Sequence, residues 1–108
     1  MGFISKLSLD GKVVDKIFFP APGGEPLHKP KGIWIRGSRL WVTDIDAVWV
    51  FDLKTRMGRK LALPLGFAND PAIFGNALYV SDNRNDELVK VEPADFLEAK
   101  APKVTRVF

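Results

Sequence analysis

The stretch Phe67–Asn83, FANDPAIFGNALYVSDN, decides how this chain folds, because it repeats the cadence of an earlier one, His28–Ile45, HKPKGIWIRGSRLWVTDI. Displacing the sequence by 38 residues lays Lys31-Gly32 on Asn69-Asp70, Gly37 on Gly75, and Leu40–Asp44 (LWVTD) on Leu78–Asp82 (LYVSD). After a two-residue insertion, Asp46–Asp52 (DAVWVFD) falls on Asp86–Glu92 (DELVKVE). Each unit therefore carries an apolar run, a Gly-containing turn and a second apolar run that ends in a hydroxyl residue and Asp, which is a hairpin pattern. Upstream, Phe3–Phe19 (FISKLSLDGKVVDKIFF) resembles only the second half of the unit. The chain reads as a half unit followed by two whole ones, each of roughly four strands in about 40 residues, a period associated with propeller blades.

The rest of the sequence agrees with an all-β chain. Short runs rich in Val, Ile, Phe, Trp and Tyr alternate with Gly, Pro, Asn and Asp, and helical periodicity is nearly absent. Strands are expected near residues 2–9, 12–19, 32–36, 39–44, 47–53, 59–63, 72–74, 77–82, 88–92 and 104–108. The turns Leu9–Lys12, Arg36–Arg39 and Phe74–Ala77 join neighbours tightly enough to require antiparallel hairpins. Pro93–Lys100 (PADFLEAK) is expected to form one or two helical turns, stopped by Pro102. The runs IWI, LWV and VWVF are apolar on both faces, as in a sheet covered on each side by another; a half-solvated sheet would alternate. A compact β-sandwich or small barrel with recurring hairpins is the alternative architecture.

Composition narrows the function classes. At 108 residues, 46% apolar and 27% charged, the chain has the make-up of one folded domain and not of a disordered one. No apolar run approaches the ~18–20 residues that span a bilayer, and the N-terminus lacks the apolar core of a secretory signal, so no membrane partner is expected. The absence of cysteine excludes disulfides, thiolate metal sites and a Cys nucleophile, and suits cytoplasm and periplasm alike. The formal charge of +3 comes from interspersed residues, with Lys29–Arg36 and Lys54–Lys60 the only dense basic runs. A solvated surface is the expected reading of both, and nucleic acid is not an expected partner.

Several constellations fail on inspection. Asp82–Glu87 (DNRNDE) begins like a calcium loop, but Arg84 stands at the third position, Glu87 where Gly is needed and Pro93 where a bidentate Glu is needed. Ala21–Pro26 (APGGEP) lacks the Gly-Lys-Ser/Thr of a phosphate loop. His28, the only histidine, has no Ser or carboxylate partner at a catalytic spacing and reads as a loop residue. Asp44 and Asp46 put two carboxylates at one corner. Because Asp44 recurs as Asp82, a structural role capping backbone N–H groups is expected of both. Trp34, Trp41 and Trp49 all lie in strand patterns and are expected to pack between sheets.

At Pro30–Thr55 and Ala68–Pro93 the sequence resembles six-bladed β-propellers of the gluconolactonase/regucalcin (senescence marker protein-like) and NHL-repeat families. Blades of that kind run Pro-x-Gly-Ile, a hairpin, Leu-Tyr/Trp-Val-x-Asp and a further apolar strand. The resemblance covers essentially the whole chain and implies antiparallel four-stranded blades, about two and a half of them: a half blade over 1–20 and blades over 27–64 and 66–108. In the lactonases an Asn-Asp pair often opens a blade's innermost strand, with the Asn oxygen on a divalent cation, usually calcium. The resemblance thus implies Asn69 as a metal ligand and Asp70 as a tunnel-lining residue. The same Asn-Asp-Pro is also ordinary turn chemistry. Lys31-Gly32, its equivalent in the preceding unit, holds no metal, and the family's further Glu, Asn and Asp ligands have no counterparts here.

What the resemblance implies for function is a segment of a calcium-dependent hydrolase acting on a small-molecule lactone or ester, inactive as an isolated chain. The alternative is a non-enzymatic NHL-type scaffold that binds a ligand or protein. Either way, two and a half blades leave an apolar face at each end. Val48–Phe51 and Phe3–Leu7 are expected to expose apolar area, to be covered by missing blades or by copies of the chain in a homo-oligomer.

Overall fold

The computed structural model describes residues 2–107, so Phe108, the expected end of the last strand, lies outside the described residues. Among the described residues ten strands form, and each overlaps one of the expected runs. They are β1 (Ile4–Leu7), β2 (Val13–Phe19), β3 (Pro30–Arg36), β4 (Arg39–Asp44), β5 (Ala47–Asp52), β6 (Gly58–Ala62), β7 (Ala68–Phe74), β8 (Ala77–Asp82), β9 (Glu87–Glu92) and β10 (Lys103–Arg106). Every pairing is antiparallel, and strands adjacent in a sheet are adjacent in sequence. A two-stranded sheet β1-β2 precedes a middle sheet β3-β4-β5-β6 and a last sheet β7-β8-β9-β10. The chain is all-β, with no helix among the described residues.

The two whole repeats share their turn chemistry. Arg36 pairs with Arg39 and Phe74 with Ala77, leaving two-residue turns that begin at Gly37 (φ 61°) and Gly75 (φ 62°). A positive φ at the first central residue is the type II′ requirement, and glycine meets it without a Cβ clash.

Pro93–Lys100 is not helical, contrary to expectation. Its backbone is engaged elsewhere: Ala94 N–H donates to the Asn76 carbonyl, Trp41 Nε1 donates to the Ala94 carbonyl at 2.8 Å, and the Arg59 guanidinium donates to the carbonyls of Phe96 and Ala99. Asp95 in turn accepts from Arg39 Nε at 3.0 Å. Partners from the middle sheet and from the β7–β8 turn thus replace the i→i+4 bonds a short helix would need.

Alternation along β4 and β5 builds the core. Trp41, Val48 and Val50 face the last sheet and join Leu78, Val80, Val89, Val91 and Phe96 in one cluster. Leu40, Val42, Trp49 and Phe51 face the other way and join Phe19 and Leu27 in a second. Val48–Phe51 is therefore buried, which corrects the expectation that VWVF lies at an open end. The Phe19 ring stacks on Phe51 with centroids 4.1 Å apart, and Phe51 stacks on Trp49 at 5.3 Å. IWI behaves oppositely: Ile33, Trp34 and Ile35 are all exposed, so Trp34 does not share the buried role of Trp41 and Trp49.

Candidate functional site

The 38-residue repeat survives as a repeat of hydrogen bonds at one end of the sheets. Asp44 closes β4 and accepts from the N–H groups of His28 and Lys29 at 2.9 and 2.6 Å. Asp82 closes β8 and accepts from Gly66 and Phe67 at 3.2 and 3.3 Å, the same two positions one repeat later. Both aspartates are only 1% exposed. Backbone N–H donors take the place of the water each buried carboxylate has lost, so each corner fixes the segment that enters its sheet. Burial alone pushes the Asp82 carboxyl up, but N–H donors from Arg84, Asn85 and Phe67 and the Asn85 amide outweigh it and hold the group below the usual Asp range. The structural role expected of the repeated aspartates matches these bonds. Asp46 stays exposed, and the exposed His28 contributes its backbone N–H to the corner.

A second repeated element links one sheet to the next. Thr43 Oγ1 accepts from Gly32 N–H at 3.0 Å and donates to the Asn69 carbonyl at 2.5 Å, joining β3 and β7. Ser81, its equivalent, accepts from Asp70 N–H at 3.3 Å on the far side of the last sheet. Ile45 adds to the link, its carbonyl accepting from Ala68 N–H while its own φ is 57°. A β-branched residue in the left-handed region is rare and needs surrounding structure to hold it.

These contacts place Asn69 and Asp70. They lie inside β7 and not before it, at a register shift between Ala68 and Pro71 that lifts both from the β8 ladder. The backbone of Asn69 is committed to Thr43; its side chain is half-buried, and Asp70 is exposed beside it. Nearby, Phe67 carries a cation on each of two approaches, Lys31 Nζ at 5.3 Å and the Arg84 guanidinium at 5.4 Å from the ring centroid. Together Lys31, Phe67, Asn69, Asp70 and Arg84 form a polar surface with an aromatic base. Neither the Phe67 pairing nor the Thr43 bridge was anticipated; the repeated hydroxyl in LWVTD and LYVSD is the one signal that pointed to the bridge.

Tested against a calcium ion, this surface falls short. Calcium takes six to eight oxygen ligands, whereas Asn69 and Asp70 offer one amide oxygen and one carboxylate. Among the described residues no group of three or more His, Cys, Asp or Glu is placed to hold a metal. The buried carboxylates Asp44 and Asp82 are already engaged with backbone donors. No family model, curated protein or solved structure matches the chain.

Proposed function

We propose that this chain is a blade-forming segment of a six-bladed β-propeller that serves as a binding scaffold, presenting the Lys31–Phe67–Asp70–Arg84 surface to a ligand or protein. The observation that carries this reading is the repeated commitment of Asp44 and Asp82 to backbone N–H groups at positions 38 residues apart. Carboxylates used in this way build sheet corners and are not free to act as acid or base themselves. Its end faces receive further blades or copies of the same chain.

A second reading keeps the calcium-dependent lactone or ester hydrolase, and one feature favours it: the Asn69 side chain takes no part in joining the sheets, since only its carbonyl bonds Thr43. In that reading Asn69 contributes one amide oxygen and Asp70 a neighbouring carboxylate, and every other ligand comes from outside the chain. Calorimetric titration with calcium separates the two. The scaffold reading expects no saturable uptake and no calcium-dependent hydrolysis of an aliphatic lactone. Saturable uptake that disappears in Asn69→Ala would support the hydrolase instead.

A further inference from the structure

Between the segment that leaves β2 and the strands β5 and β6 lies a cleft of about 640 Å³. Pro20–Glu25 forms one wall; Trp49 and Phe51 of β5, the Thr55–Met57 turn and Gly58–Lys60 of β6 form the others. One member of that lining is anomalous. Trp49 is only 6% exposed, and its indole Nε1 is buried without a hydrogen-bond partner among the described residues. Folded proteins pair almost all such groups, because an unpaired buried donor carries the full cost of its lost hydration.

Trp41 shows what an indole takes here when a partner is at hand. Its Nε1 donates to the Ala94 carbonyl at 2.8 Å, and the same Pro93–Lys100 segment sets Phe96 into the cluster between the middle and last sheets. The corresponding connection of the middle sheet, Leu53–Met57, is shorter than Pro93–Pro102 and brings Trp49 no acceptor. A group from outside the chain is left to supply one.

Charge narrows what that group is. Arg56, Arg59 and Lys60 line the cleft against one carboxylate, Glu25. Main-chain carbonyls already hold the two arginines, Phe18 for Arg56 and Phe96 and Ala99 for Arg59, so these lend field and not bonds. Lys60 differs. It stands directly opposite Trp49 in the β5–β6 ladder, which puts ammonium and indole on one face, and its partner is Glu25 at 3.2 Å. Both side chains of that pair are partly exposed, and an exposed pair holds weakly.

We propose that this cleft binds a small organic carboxylate with an aromatic body, one oxygen accepting from Trp49 Nε1 and the charge taken by Lys60 in place of Glu25. The apolar walls, Pro20, Pro22, Met57 and the stacked rings of Trp49 and Phe51, favour a ring-bearing ligand. A neutral ligand would leave the positive lining unmatched, and an inorganic anion would leave the apolar walls uncovered. The site shares no residue with the Lys31–Phe67–Asp70–Arg84 surface, so either can fail without the other.

The test titrates benzoate into the full, isotope-labelled chain and follows the tryptophan indole N–H signals by nuclear magnetic resonance, assigned with Trp34→Phe and Trp49→Phe. The Trp49 signal is expected to shift downfield and saturate while those of Trp34 and Trp41 stay in place. Lys60→Gln should weaken benzoate about three- to tenfold. Glu25→Gln should tighten it, by freeing Lys60, an opposite sign that general loosening of the loop would not produce. Lys60 and Glu25 are both exposed, and far-UV circular dichroism checks that the variants fold. Benzyl alcohol binding as tightly as benzoate would reduce the site to apolar adhesion, and acetate doing so would reduce it to unspecific charge; either overturns the proposal. So would a Trp49 signal that does not move, or one in contact with a bound water that benzoate fails to displace.

Discussion

Asp44 and Asp82 show how a single residue type sets the position of a whole sheet. Each carboxylate gathers N–H groups from the segment that enters the sheet, and removing one leaves those part-buried donors without their partner. Asp44→Ala is expected to destabilise the fold by about 1–3 kcal/mol, through the loss of two charge-assisted hydrogen bonds at a part-buried corner, read as a lower midpoint in urea with an unchanged slope. Asp82 also makes stability depend on pH. Its folded pKa lies below that of the unfolded chain, about 3.9, so its contribution is complete above that value and fades as pH falls through the folded one. Asp82→Asn should therefore flatten the acid limb of the stability profile below about pH 4 while lowering stability at neutral pH. An unchanged acid limb would show that other carboxylates dominate. At this scale the sequence was informative about the aspartates, because identical residues recurred at identical spacing. The Thr43 bridge showed only as the repeated hydroxyl of LWVTD and LYVSD, since a hydroxyl in a buried strand leaves no mark on the apolar pattern.

Strand existence was legible throughout, and strand context was not. The hairpin turns at Gly37 and Gly75 and the runs around them locate β3, β4, β7 and β8 from local chemistry alone. By contrast, IWI and VWVF look alike as apolar triplets and quartets, yet β5 is buried on both faces while β3 is exposed; the difference lies in which neighbouring strands are present. Pro93–Lys100 carries helix-compatible residues, but Trp41, Arg39 and Arg59 claim its polar groups from another sheet. Asn69 and Asp70 were expected before a strand and lie within one, because the register shift at Pro71 extends β7 backwards. Close packing between elements gives a further prediction. A Cβ on Gly32 would come within 2.5 Å of Pro71 Cδ and 2.7 Å of the Asn69 carbonyl oxygen. Gly32→Ala should cost about 1–3 kcal/mol through forced separation of β3 and β7, and thermal unfolding would show it. Leu78→Ala, which opens a void in the cluster between the sheets, should cost about 2–5 kcal/mol; a cost near zero would mean that Leu78 is not enclosed there.

The whole molecule is a series of sheets, with one apolar cluster between the first and middle sheets and a larger one between the middle and last. Among the described residues, β4 and β5 of the middle sheet contribute to both clusters. That arrangement explains why the most continuously apolar strands, β4 and β5, occupy the centre of the chain, and why exposed Leu7, Val13, Val14, Ile33 and Ile35 gather toward the first sheet. The middle and last sheets stack face to face one repeat apart, and the Trp41 indole reports on the stacking most directly, since its N–H donates from the middle sheet to the Ala94 carbonyl in the segment that follows β9. Nuclear magnetic resonance of the full chain in water reads that proton. Stacked sheets predict slow exchange of the Trp41 indole N–H and nuclear Overhauser contacts from its ring to Ala94 and Phe96; rapid exchange with no contact to either residue would contradict the stacking.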